Sequence, residues 1–230
     1  MANDTRFEAN SFPFIVFGTI LLNVCWLFFN GGSTFTMFAP RKNAASKIIM
    51  VTILSGVTAG LVAAFIKPFI MGTYSKTFRY DVGALANGIL AGLVSITGVC
   101  DRCEPWSAFI IGLFGGIVYS LACKLCQKLG VDDPIEAAQV HGFCGMWGLI
   151  AVGIFDNEKG LISDNSDSGG FFGWQLIGLV VIAAWVASLS LIYFLIMKKF
   201  DLLRVPLLEE IIGLDYSEMG SRIIIQAAEE

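Results

Sequence analysis

At 230 residues the chain is long enough for one or two soluble domains with a sizeable core. Its composition is 56% apolar and 15% charged with a mean hydropathy of +0.73, whereas soluble domains hold about 45 to 50% and about 25%, so an ordinary soluble globule is excluded and an integral membrane protein indicated. The net charge of −4 comes with the acids spread along the chain, which leaves no basic face for nucleic acid.

Met1 to Ser11 is a short polar lead. No cleavable signal peptide is expected, because the apolar run behind this lead is too long and lacks a small-residue cleavage site. That run, residues 12–29, is the first predicted span and ends in F-F-N-G-G-S. A loop over 40–47 carries Arg41, Lys42 and Lys47; the second span covers 48–70, with Lys67 and Pro68 close to its end. After a polar connection at 74–79, the third span runs over 82–99. Ala84, Gly88 and Gly92 fall four apart along it, a stripe of small residues that lets another helix backbone come close. Trp106 opens the fourth span (106–126) as an interfacial anchor, and Gly112 and Gly116 repeat the small-residue device there.

The fifth span, 134–155, lies within D-D-P-I-E-A-A-Q-V-H-G-F-C-G-M-W-G-L-I-A-V-G-I-F and holds the chain's single histidine, His141. Asp133 is expected to cap a helix that begins at Pro134, since proline's fixed φ suits the first helical position and its missing N–H is not needed there. Glu136, three residues after that cap, would complete a capping box. Beyond it only Gln139 and His141 are strongly polar, and glycine recurs at 142, 145, 148 and 153, the pattern of a helix that packs closely and presents an imidazole to what it meets.

An Asp/Ser/Gly-rich loop (156–170) leads to the sixth and longest span, 173–197, which Lys198 and Lys199 terminate. Residues 198–230 form a tail. Six spans put both termini on one side of the membrane. With the termini cytoplasmic, Arg41, Lys42, Lys47, Arg102 and Lys159 lie outside and the other ten Lys and Arg residues, Lys67 among them, lie inside. The fold class expected is therefore all-α and membrane-spanning, with a cytoplasmic tail.

A lone histidine in a span has two readings, a satisfied packing residue or a functional one. Lipid favours the second, because an imidazole there is costly unless something uses it. In its uncharged form the ring both donates and accepts a hydrogen bond, which suits proton transfer or the binding of a small polar molecule. Trp26, Phe28 and Phe29 are lipid-facing bulk on one reading. On the other, the N-G-G-S after them opens the backbone and places the Ser33 hydroxyl beside aromatic faces that attract a small cation. The six cysteines form no framework: Cys25, Cys123, Cys126 and Cys144 sit in apolar runs, and the C-D-R-C (100–103) and C-K-L-C (123–126) pairs next to spans read as packing residues before they read as metal or redox centres. With no paired carboxylates in a cleft, no nucleophile with a base and no metal-ligand spacing, neither an enzyme nor a cofactor is expected.

Five stretches, L-L-N-V-C-W-L-F-F-N-G-G-S (21–33), A-N-G-I-L-A-G-L-V-S-I-T (86–97), E-P-W-S-A (104–108), D-D-P-I-E-A-A-Q-V-H-G-F-C-G-M-W-G (132–148) and L-R-V-P-L-L-E-E-I-I-G-L-D-Y-S-E-M-G (203–220), resemble the ammonium transporter (Amt/Mep/Rh) family, in particular its plant-type branch. They follow the family order across nearly the whole chain. The family fold has eleven helices in two inverted repeats of five plus a last long one, assembled as trimers with a pore in each subunit. The chain resembles helices six to eleven and the tail of that fold.

The resemblance implies that His141 is the second of twin pore histidines, Phe29 one of two stacked gate phenylalanines and Ser33 the hydroxyl of the outer ammonium site, with Trp26 in the aromatic run beside them. In the tail it implies that Gly213, Leu214 and Asp215 dock on a neighbouring subunit. Ser217 takes the place of a phosphorylatable threonine, where a phosphate could push the tail off its dock. Met219 departs from the family, which commonly has histidine there. The first twin histidine, the buried aspartate, the second gate phenylalanine and the tryptophan of the ammonium site have no counterpart here. Two functions follow as expectations: transport of ammonium or ammonia as the second half of a pore, with a complementary N-terminal half or in homo- or hetero-trimers at the plasma membrane, or regulation of full-length homologues by a non-transporting subunit; a truncated inactive fragment is the remaining alternative.

Overall fold

The structure, a computed structural model, describes residues 11–34, 43–72, 81–212 and 214. Within them every regular element is a helix: α1 (Phe12–Gly32), α2 (Ala44–Met71), α3 (Val82–Thr97), α4 (Pro105–Leu129), a π-helical turn (Ala138–Phe143) running into α5 (Cys144–Phe155), α6 (Ser168–Lys199) and α7 (Leu207–Ile212). Among the described residues five helical stretches are long and apolar enough to cross a membrane, counting Ala138–Phe155 as one; the third predicted span is the shorter apolar helix α3. The protein is an all-α integral membrane protein. The chain divides into two compact units, Met1–Leu179 and Val180–Glu230.

In the first unit the small residues decide which helices form the centre. Half of the most apolar window of α2 and of α4 is buried, against none of the corresponding windows of α1 and α6. α2 lies between α3 and α4, and the three meet at Ser55. A Cβ at Gly92 or at Gly112 would run into the Ser55 carbonyl oxygen, one at Gly88 would come within 2.5 Å of the Ala63 Cβ, and one at Gly116 within 2.6 Å of the Ala59 carbonyl. The predicted stripe on α3 and its repeat on α4 are thus the two faces that clasp α2. The Ser55 hydroxyl donates to the Gly92 carbonyl at 2.8 Å across the same contact.

On either side of this glycine waist lies an apolar layer. One contains Ile48, Val51, Ile96, Val99, Ala108, Ile111 and Phe155. The other contains Ala63, Ala91, Tyr119, Cys123, Val140 and Cys144. The first layer is closed by charged groups: Lys47 binds Glu104 at 2.8 Å, Asn157 donates to the same carboxylate at 2.8 Å, and Arg102 reaches Glu158 at 3.3 Å. The turn between α3 and α4 holds Cys100 and Cys103, both buried with free thiols. Burial pushes Cys100 up to about 11 and Cys103 up to about 12, so each is a packed neutral thiol at physiological pH.

Two of the helix boundaries that differ from the sequence expectation bear on the site. α1 does not end at Phe29; it continues to Gly32, and N-G-G-S does not open the backbone before Ser33. Asn30 and Gly31 are buried packing residues, Gly31 close to the Ile49 side chain. The histidine helix, in turn, does not start at Pro134. Glu136 has φ +59°, outside the right-handed helical region, and the regular backbone begins after it. Asp133 still caps the helix, through Ala137 N at 3.0 Å and Ala138 N at 2.7 Å, but Glu136 does not complete a capping box because its carboxylate is turned into the bundle.

In the second unit, the rest of α6 is followed by a turn at Asp201 (φ +55°) and by α7, where Arg204 pairs with Glu210 at 2.7 Å.

Candidate functional site

Three of the predicted site residues come together where the end of α1 meets the π-helical turn. The Trp26 indole and the His141 imidazole lie almost parallel, with centroids 6.5 Å apart and planes 16° apart. Phe29 packs edge-on to the same indole at 6.5 Å. Both His141 and Phe29 are exposed on the first unit's own surface.

Polar groups from three helices fix this arrangement. Thr97 on α3 donates its hydroxyl proton to the Leu93 carbonyl at 2.7 Å, which turns its oxygen into an acceptor. Trp26 Nε1 donates to that oxygen at 2.8 Å, and Asn30 Nδ2 points at it from 3.5 Å. Asn30 also donates to Thr52 on α2 at 3.1 Å, so a single buried amide ties α1 to both neighbours. A hydrogen bond of this kind contributes about 1 kcal/mol, and a buried polar atom left without one costs more.

Ser33 caps the end of α1, where it donates its hydroxyl to the Phe29 carbonyl at 2.6 Å. The proton is committed, so the oxygen faces outward as an acceptor, the polarity required to bind a cation that carries N–H groups. Gly213, Asp215 and Ser217, the predicted tail residues, lie outside the described residues.

His141 sits in the middle of the π turn, with Gln139 and Val140 buried behind it. A π turn holds one residue more than an α turn and so rotates what it carries by about 100° relative to an unbroken helix. Of the four glycines on this helix, Gly148 faces the Ser95 carbonyl at 3.2 Å and Gly153 faces Phe172, while Gly142 has nothing within 4 Å of where a Cβ would stand. The expected close packing therefore holds for the second half of the helix and not at the residue beside His141.

One group of residues has partners that the sequence does not name. Lys67, placed near the end of the second predicted span, is buried at the end of α2, with Nζ 2.6 Å from Glu136 and 3.0 Å from the Tyr119 hydroxyl. The other Glu136 oxygen accepts from Asn87 Nδ2 at 2.9 Å and from the Tyr119 hydroxyl. Burial alone would push the Glu136 carboxyl up; the Lys67 ammonium and these donors outweigh it and hold the group below the usual carboxylate range. The available signal was an ionisable side chain within a span, which calls for a partner of opposite charge at the same membrane depth.

The family model described as the Ammonium Transporter Family matches residues 1–222. Among curated relatives, Ammonium transporter 1 member 1 of Arabidopsis thaliana is 36% identical over 93% of this chain and 45% of its own length. Ammonium transporter Amt2 of Archaeoglobus fulgidus is 36% identical over 94% of this chain and 46% of its own. Among solved structures, a Sensor Amt Protein superposes with a TM-score of 0.78 at 32% identity, covering 94% of this chain and 52% of that one. Saccharomyces cerevisiae Mep2 gives 0.72 at 30% identity, over 86% and 47%. The chain spans about half the length of the curated relatives it matches. A helical membrane architecture, the five motifs in their order and a family match over nearly all of its residues together establish that this chain belongs to the ammonium transporter family.

Proposed function

We propose that the chain forms the second half of an ammonium/ammonia pore. The observation that carries this reading is the single histidine stacked on Trp26, with Phe29 edge-on to the same indole and the imidazole left open on the unit's surface.

A bare ammonium ion costs several kcal/mol or more to bring into hydrocarbon, so a pore must remove either the water gradually or the charge altogether. The Ser33 oxygen accepts an N–H from the cation while the Trp26 and Phe29 faces attract its charge. Past Phe29, transfer of a proton to an acceptor would leave neutral ammonia, which crosses an apolar passage at far lower cost. His141 holds and returns that proton, since a neutral imidazole accepts at one nitrogen while donating at the other. The relay needs a second imidazole and a cation-binding carboxylate from outside these 230 residues, such as a complementary N-terminal half or homologues in a trimer. The process is passage and not chemical turnover. We place the pore in the plasma membrane, with Ser33 at the external face and the tail, carrying Gly213, Asp215 and Ser217 as its regulatory segment, in the cytoplasm.

The test is uptake of radiolabelled methylammonium in a yeast strain without ammonium transporters of its own, by this chain alone and beside an independently expressed first half. Uptake with both halves that His141→Ala abolishes supports the reading. Absence of uptake from well-expressed protein in both arrangements overturns it.

A further inference from the structure

The residue that enters the π turn, Glu136, is held by three helices at once. Its carboxylate takes Lys67 from α2, Asn87 from α3 and Tyr119 from α4. Asn87 also donates to the Ile135 carbonyl at 3.3 Å, and Lys67 Nζ stands 5.3 Å from the centre of the Tyr119 ring. A non-glycine residue at φ +59° is in a strained backbone region and persists only where its surroundings over-determine it. Those surroundings are this cluster. The same residue's carbonyl accepts from Val140 N at 3.0 Å, a bond of α-turn spacing, whereas Cys144 N bonds back five residues to the Gln139 carbonyl, so the change from α to π spacing, with His141 inside it, follows directly on Glu136.

We propose that Glu136 is a positioning residue for His141: the Lys67–Tyr119–Asn87 clasp fixes its left-handed backbone, which sets the π register of the turn and so aims the imidazole at Trp26. In an α-helix begun at Pro134, the ring would be rotated away by about 100°. Lys67 and Glu136 are 69 residues apart in sequence, and the clasp makes the packing of α2, α3 and α4 a condition for the histidine's orientation. The use of that orientation in a pore rests on the proposed function. The orientation itself does not, and is read without transport.

Because the chain has one histidine, selective 15N labelling of histidine gives a single ring signal pair, provided purification uses no histidine tag. The full chain is compared in lipid nanodiscs with Glu136→Gln, which keeps the size and removes the charge, and with Tyr119→Phe, which removes one hydroxyl and no charge. Lys47→Met, which breaks the Lys47–Glu104 pair at the opposite end of the bundle, is the control. Loss of the wild-type His141 ring resonances to a shifted or split set in Glu136→Gln and in Tyr119→Phe, with Lys47→Met unchanged, is the expected result. Wild-type resonances in folded Tyr119→Phe would overturn the proposal even if Glu136→Gln fails to fold. An equal shift in Lys47→Met would overturn it as well, because any broken interhelical pair would then suffice.

Discussion

The Trp26 indole is held parallel to the His141 imidazole by a hydrogen bond made elsewhere, from Nε1 to the Thr97 hydroxyl oxygen. Thr97→Val keeps the shape and removes the acceptor, at a cost of about 1 kcal/mol, or roughly five-fold in the population of the stacked geometry. The expected outcome is a displaced His141 ring signal, because the indole's ring current no longer falls on it, and a several-fold lower methylammonium uptake when the chain is expressed with a first half. Trp26→Phe should lower uptake further, since both the hydrogen bond and the larger face are lost.

The glycine waist predicts a sharp contrast between positions. Gly112→Ala adds a methyl group against the Ser55 backbone, which has no side-chain freedom with which to yield, and should destabilise the bundle by about 1 to 3 kcal/mol or more. Gly142→Ala adds the same group where nothing lies within 4 Å and should leave stability unchanged or slightly higher. Thermal unfolding in detergent, followed by size-exclusion chromatography of heated samples, measures both.

Cys100 and Cys103 should resist maleimide at pH 7.5 in the folded protein and react fully once it is denatured in detergent. The thiolate is the nucleophile, and burial holds these thiols at about 11 and about 12. Mass spectrometry of tryptic fragments after a timed pulse of label distinguishes them from the other cysteines.

Acid should loosen the Glu136 clasp. The charged and titratable groups that face this carboxylate are Lys67, Tyr119 and Cys123. Its folded-state value lies below the ordinary one of about 4.3, so the stability it adds is fully present above that pH and is lost as pH falls from there through the lowered folded value. Wild type should lose thermal stability over that interval more steeply than Glu136→Gln, with the two curves converging at its acid end.

The five membrane-length helices were legible because their apolar runs are long enough to cross lipid, α3 being an apolar helix short of that length, and the clasping faces were legible because Gly88, Gly92, Gly112 and Gly116 repeat at a helical period. Trp26, Phe29 and His141 could be named from residue type, but their meeting could not, since it depends on Thr97 turning the indole. Glu136 carried a local signal that pointed the wrong way. Its spacing from Asp133 fits a capping box, and only the distant Lys67, Asn87 and Tyr119 outbid that choice. Lys67 could be placed near the end of its span, but its partner was not legible, because the sequence does not record which acid faces it.

Asn30 carries a last consequence. The most apolar window of α1 buries nothing against the rest of the first unit, while at its far end one amide bridges Thr52 and Thr97. Insertion of this helix into lipid is governed by greasy length, and its seating among its neighbours by a few hydrogen bonds in the final turns. The two are separable: Asn30→Leu should make α1 enter the bilayer at least as readily, yet leave it unmoored, a protein correctly threaded whose aromatic face no longer meets its histidine.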